Sequence, residues 1–357
     1  NIGLAQAIIQ KGGSYSIAKI AVSALPTVSY YSTYAGVKDG CRVAADRDIR
    51  IRAQDYARAR SEAMDTSMGV GVNVATTYGD NAVYTDTKVE IGAAKLFSTR
   101  DVLIQAESSA YMYALTYASV GSIFYGSGTM QARNYLARTV TADILGGADI
   151  ESDFGTLTVR ATGGAADEIT TYARCDSTGF VAIGDARAYI DVSTVVKANV
   201  ARGAKLKNTF GYVKIYTDAS MNRAYAYAHV YNSGVGNEPD AKALGTLTLT
   251  SQVNLGGSAG SGTAEAVGKN VDIRSYLGKL NFTMQSYSRG RGLGVNVDSE
   301  SRTYAYLTSE VNARNATVKG YDSVVIQAES RPGWRSAHIL NDAYSFAQGI
   351  GDATAVA

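Results

Sequence analysis

The sequence predicts an all-β, repetitive fold: a β-solenoid of about six degenerate units of roughly 55 residues with a thin Ala/Val/Ser-lined core. Three observations predict it: a recurring column of apolar residues, a strict two-residue alternation, and the small size of one alternating face. The column phrase, apolar-x-apolar-x-small, recurs in DIRIRA (48–53), DVLIQA (101–106), TLTVRA (156–161), YVKIYT (212–217), KLNFTM (279–284) and SVVIQA (323–328). Its first column reads Ile49, Val102, Leu157, Val213, Leu280 and Val324, and its second Ile51, Ile104, Val159, Ile215, Phe282 and Ile326. The steps are 53, 55, 56, 67 and 44 residues, so length has moved between loops near the end. An upstream phrase precedes the column by eight or nine residues: GAAKL (92–96), GGADI (146–150), RGAKL (202–206), KNVDI (269–273) and RNATV (314–318). A second shared phrase is GVGVNV (69–74) and GLGVNV (292–297).

The elements follow from the alternation. From Ile49, one face is Ile49, Ile51, Ala53, Asp55, Ala57 and Ala59, and the other carries Arg50, Arg52, Gln54, Tyr56, Arg58 and Arg60. From Val102 the small and apolar positions run through Ala106, Ala110 and Ala114 to Ala118, and from Leu157 through Ala161 to Cys175. A helix would mix Arg and Ala on both faces, whereas a strand separates them. Faces of Ala, Ser and Gly fill little space, so two of them must lie closer than the usual ~10 Å between packed sheets. Each unit then needs its neighbour to satisfy its edge hydrogen bonds. Gly-rich stretches such as Leu145-Gly146-Gly147 and Gly256-Gly257-Ser258 supply the corners. Residues 1–40 read as a partial or capping unit, 41–344 as one continuous repeat array, and 345–357 as the start of a further unit or an interface segment.

Composition excludes several classes. Lys+Arg 34 against Asp+Glu 32 gives no polyelectrolyte suited to nucleic acid. No run of 18 uncharged apolar residues predicts a transmembrane helix. Two cysteines, Cys41 and Cys175, and two histidines, His229 and His338, leave little for a disulfide framework or a metal centre, and no metal or other cofactor is expected. A start at Asn1 reads as a processed chain or a fragment.

The columns, the alternation and GVGVNV resemble the repeat region of giant secreted bacterial exoproteins, the leukotoxin-like filamentous adhesins and filamentous-haemagglutinin-like proteins. The match is fullest in VLIQAESSAYMYALTYASVGSIFYGSG (102–128) and FVAIGDARAYIDVSTVVKANVARGAKL (180–206). The resemblance implies secretion to the cell surface, an elongated molecule, and a role in attachment or in surface filaments. It implies no catalytic residues.

Candidate contact residues stand on the outer face, where Tyr (25, against 7 Phe and 1 Trp) predominates: Tyr111, Tyr113, Tyr117, Tyr225, Tyr227 and Tyr231. Stacked across units they would form ladders suited to copies of the same chain, to further repeats of a parent chain, or to host or surface glycans. Asp149, Glu151 and Asp153 have the spacing of a carboxylate pair for glycosidic cleavage, but no neighbouring unit repeats them, and a solvated corner is the simpler reading. Arg47, Arg50, Arg52, Arg58 and Arg60 are interleaved with Asp46, Asp48, Asp55 and Glu62, which reads as a neutralised face. SRGRG (288–292) reads as a flexible loop, and TLTLTS (246–251) occurs once, short of an ice-binding array. The expectation is a non-enzymatic structural component of an extracellular bacterial filament or adhesin stalk. The alternative is a polysaccharide-binding or polysaccharide-cleaving protein such as a phage tailspike. An inward charge at Ala106 or Ala161 should abolish folding, while outward Gln105→Glu should be tolerated.

Overall fold

The computed structural model describes residues 2–257, 261–330 and 338–357. Its strands, in chain order, are β1 (Ile2–Val37), β2 (Arg42–Ala45), β3 (Ile49–Ile91), β4 (Lys95–Ser98), β5 (Val102–Ser122), β6 (Tyr125–Ile144), β7 (Asp149–Ser152), β8 (Thr156–Gly163), β9 (Glu168–Thr178), β10 (Val181–Val200), β11 (Lys205–Ser233), β12 (Gly236–Leu255), β13 (Ala264–Ala313), β14 (Ala316–Ser330) and β15 (His338–Val356). All belong to one sheet, and no helix occurs among the described residues.

The alternation produces these strands directly. In β10 buried and half-buried residues alternate without a break over its whole length. The inner positions Ala53, Ala57 and Ala59 of β3, and Ala106, Ala110 and Ala114 of β5, are essentially inaccessible to solvent.

The open β-solenoid expected from the repeats is corrected by the strand pairing. β3 pairs with β5, β5 with β8 and β9, these with β11, and the ladder continues through β13, β12, β10 and β6 back to β3. The result is a closed eight-strand parallel barrel. Closure depends on two strands that pass through a corner unbroken. β3 pairs with β5 as far as Gly69 and with β6 from Val72, and β13 passes from β11 to β12 between Arg291 and Gly294. These two corners are the GVGVNV and GLGVNV phrases. Glycine without a Cβ lets the strand bend where Ile123-Phe124, Gly179-Phe180 and Gly234-Val235 interrupt the other passes.

One repeat is one step of the ladder. Ile49 pairs with Val102, Val102 with Leu157, Leu157 with Val213 and Ile51 with Ile104. The column then departs from expectation: Val213 pairs with Val271 and Val271 with Val324, so Val271 and Ile273 replace Leu280 and Phe282. Leu280 instead faces Met221, and Phe282 faces Ala224, beyond a register shift. The phrase KNVDI resembled the upstream element because both alternate in the same way. The true upstream element is Gly262-Thr263-Ala264-Glu265-Ala266, whose Glu265 pairs with Lys205 and Thr317. Its Gly262, like Gly147 and Gly203, has a positive φ (87°, 87° and 78°), the requirement that places glycine in each of these turns.

Three walls matter for the surfaces. A short wall carries residues 49–55, 102–108, 157–163, 213–219 and 271–277. After a bend, a second carries 57–68, 110–121, 168–178, 224–233 and 281–291. The long opposite wall carries 72–91, 125–144, 181–200, 236–255 and 295–313.

The core between them is thin: Cα atoms of β6 approach those of β8 and β9 within 8 Å. Bulk on one wall is matched by glycine on the other. A Cβ on Gly245 would sit 2.4 Å from the Phe282 ring, and one on Gly128 2.4 Å from Cys175 Sγ. Some inner hydroxyls pair across the gap, as Ser251 Oγ does with Thr217 Oγ1 (2.8 Å), while others, such as Ser61 and Thr116, have no side-chain partner. Asn81 donates to Asn134 Oδ1 (2.8 Å), and Asn134 to Thr171 Oγ1 (2.8 Å). Arg138, fully buried on the long wall, reaches across to Ser108 O (3.0 Å) and to Asp167 Oδ1 (2.9 Å), which also accepts from Ala110 N (2.8 Å).

Candidate interaction surfaces

The six candidate tyrosines share the outer face of the second wall. Tyr111, Tyr113 and Tyr117 stand on β5 and Tyr225, Tyr227 and Tyr231 on β11, with β9 between them. Rings touch across strands rather than standing free. Tyr172 of β9 lies 6.2 Å from Tyr113, 5.7 Å from Tyr225 and 6.1 Å from Tyr227. The chain of rings continues from Tyr227 to His229 (6.0 Å), Tyr287 (5.0 Å) and Tyr344 (5.0 Å). Guanidinium groups cover what remains: Arg60 over Tyr113, Arg174 over Tyr117, and Arg289 and Arg291 over Tyr231. Of the six, only Tyr111 is exposed (38%). Burial, with Tyr172 and Tyr227 beside it, pushes the Tyr225 hydroxyl up to about 12. Burial holds His229 below the ordinary imidazole value, with Arg174 acting in the same direction. This wall is a self-satisfied aromatic and cationic layer, which explains the tyrosine count without requiring a ligand.

The more exposed apolar surface is a corner that the sequence reading missed. Val70 (54%), Phe124 (62%), Phe180 (57%), Val235 (40%), Leu293 (66%) and Ile350 (76%) follow one another where the chain turns from the second wall to the long wall. The signal was present as an apolar residue beside glycine in GVG (69–71), GF (179–180), GVG (234–236), GLG (292–294) and GIG (349–351).

The sheet also has unpaired edges. Among the described residues β1 pairs only with β3, and β14 and β15 only with β13. Ile20 (79%) and Tyr30 (75%) on β1 are exposed there. Val324 and Ile326 keep their column positions on β14 but stand half in solvent because no strand follows.

The remaining candidates separate. Asp149 pairs in register with Lys95 and Lys205, and Glu151 with Lys207, so these acids alternate with cations on an outer strand. The arginine run divides: Arg58 and Arg60 join the tyrosine wall, while Arg50 and Arg52 line a groove on the short wall. Asp55 neutralises neither, because it points into the core. SRGRG is strand, not loop, within β13. Gln105 stands on the outer side but is fully covered, donating to Glu107 (2.6 Å) and accepting from Arg160 (2.6 Å). A glutamate there would face Glu107, so the expected tolerance is withdrawn. Cys41 is exposed and Cys175 buried, both as free thiols. Among the described residues no three His, Cys, Asp or Glu side chains are placed to hold a metal ion, and no helix is long and apolar enough to cross a membrane.

Comparison with family models, with curated proteins and with solved structures finds no match.

Proposed function

We propose that this chain is a structural element that joins copies of itself by strand addition at its sheet edges, as part of an extracellular filament or adhesin stalk. The observation that carries this reading is the pair of long unpaired edges, β1 on one side and β14 with β15 on the other. Edge strands of soluble proteins are ordinarily short, charged or covered. Here β1 is 36 residues long and presents Ile20, Val28 and Tyr30 to solvent. A second copy bringing its β14–β15 edge against β1 would continue the parallel ladder. The Asn side-chain ladder points the same way. Asn254 donates to Asn199 Oδ1 (2.8 Å) and Asn312 to Asn254 Oδ1 (3.2 Å), a pattern that gains one bond with each strand added.

Electron microscopy and fibre diffraction of the purified chain test this. The expected result is filaments with a ~4.8 Å reflection. Particles that stay monomeric at every concentration would overturn it.

A further inference from the structure

The short wall carries a groove of about 570 Å³ whose lining holds five cations, Arg50, Arg52, Arg160, Lys214 and Arg274, against two carboxylates, Asp101 and Asp272. The whole chain has a net charge of only +2, so the groove concentrates positive charge well above the average surface. We propose that it binds an extended acidic polysaccharide carrying one carboxylate per disaccharide.

Register supplies the first argument. Arg52 pairs with Gln105, Gln105 with Arg160, Arg160 with Tyr216, Tyr216 with Arg274 and Arg274 with Gln327. Arginine therefore recurs at every second strand, with a neutral hydrogen-bonding side chain between. At ~4.8 Å per strand the guanidinium groups stand ~9.6 Å apart. That interval is the length of a two-sugar repeat in an extended glycan, so acids on alternate sugars meet arginines, Tyr216 meets a sugar between, and Gln105, covered beneath, holds Arg160 in place. A nucleic acid strand carries a phosphate every ~3.4 Å in the duplex, far denser than this column.

The state of the arginines supplies the second argument. Arg160 donates to Tyr216 Oη (2.9 Å) and Gln105 Oε1 (2.6 Å), both neutral, and its buried Nε has no partner. Arg52 forms no ion pair among the described residues. Arg50 reaches Asp48 only at 3.5 Å, with the arginine side chain 61% exposed. Arg274 is held between Asp272 (2.5 Å) and Glu329 (3.6 Å), which fixes and neutralises the far end of the column. Arg52 and Arg160 thus meet no carboxylate of the chain among the described residues, which leaves their positive charge for a carboxylate of the ligand. The column reaches the β14 edge at Gln327, but the site does not rest on the assembly reading.

The test is calorimetric titration of the full chain with hyaluronan oligosaccharides, which carry one carboxylate per disaccharide. Length-matched heparin oligosaccharides, single-stranded DNA and neutral chitin oligosaccharides serve as comparators. Binding of the hyaluronan probe is expected, and it should weaken as salt screens the guanidinium–carboxylate pairs. Arg160→Gln and Arg52→Gln should each weaken it about tenfold or more. Arg133→Gln, which removes the same charge from the long wall, should leave it unchanged. Absence of hyaluronan binding, equal loss in the Arg133 variant, or tighter binding of heparin or DNA with the same dependence on Arg160 would overturn the proposal. Circular dichroism of each variant keeps a folding defect from passing as a binding defect.

Discussion

Asp55 is a buried carboxylate facing inward between Ala53 and Ala57, with no side-chain hydrogen-bond partner among the described residues. Burial raises its carboxyl above the ordinary range, and the Tyr56 backbone N–H and the nearby Arg138 only partly offset this. A carboxyl raised in the folded state contributes stability that is present at low pH and is lost as the pH rises through the folded value. Asp55→Asn should therefore stabilise the protein at pH 7, by about 1–3 kcal/mol for relief of an unsatisfied buried group. The gain should vanish below about pH 3.9, where the carboxyl is neutral in both states. Thermal melts of the two proteins across that interval check the sign. Arg138 is the contrasting case, buried but paired with Asp167 and Ser108 O. Arg138→Leu leaves Asp167 buried without its partner and should cost about 3–5 kcal/mol, read by denaturant unfolding.

Within the strands, the decisive feature is matching of size across a thin core. Gly245 faces Phe282, and Gly128 faces Cys175. Gly245→Ala should cost about 1–3 kcal/mol although alanine has the better strand geometry, because the ring has nowhere to move. The paired change Gly245→Ala with Phe282→Leu should recover much of that loss, and a double-mutant cycle measures it. Ala161→Glu, on a fully buried position of β8, should yield no soluble folded protein. The inward and outward positions of these strands were legible from the period-two pattern of Ile49, Val102, Leu157 and Val213. The column falls nine residues away, at Val271 rather than Leu280, because the strand changes phase between 275 and 280, so that both positions face inward and both open an apolar-x-apolar phrase. Only pairing with Met221 against pairing with Val213 separates the two registers.

At the scale of the molecule, the sheet edges and the apolar corner from Val70 to Ile350 stand exposed among the described residues. Lateral association should run through the corner. Phe180→Ser with Leu293→Ser should reduce bundling of assembled material, while leaving the ~4.8 Å reflection of each filament intact. Light scattering alongside diffraction separates the two effects. The tyrosine wall should matter less than its composition suggests, since its rings already pack on one another and under arginine.

The sequence by itself determined the all-β class, the faces of the strands, the thin core and the clustering of tyrosines on an outer face. All of these follow from side-chain size and polarity at alternate positions, which are local properties. Tertiary structure alone decided that the ladder closes as a barrel, because closure depends on whether a glycine-containing corner at 69–72 or 291–294 bends or breaks. It also decided which arginines share a groove. Arg52, Arg160 and Arg274 lie more than 100 residues apart in the chain and become neighbours only through register, which hydrogen bonding between strands sets and no local pattern contains.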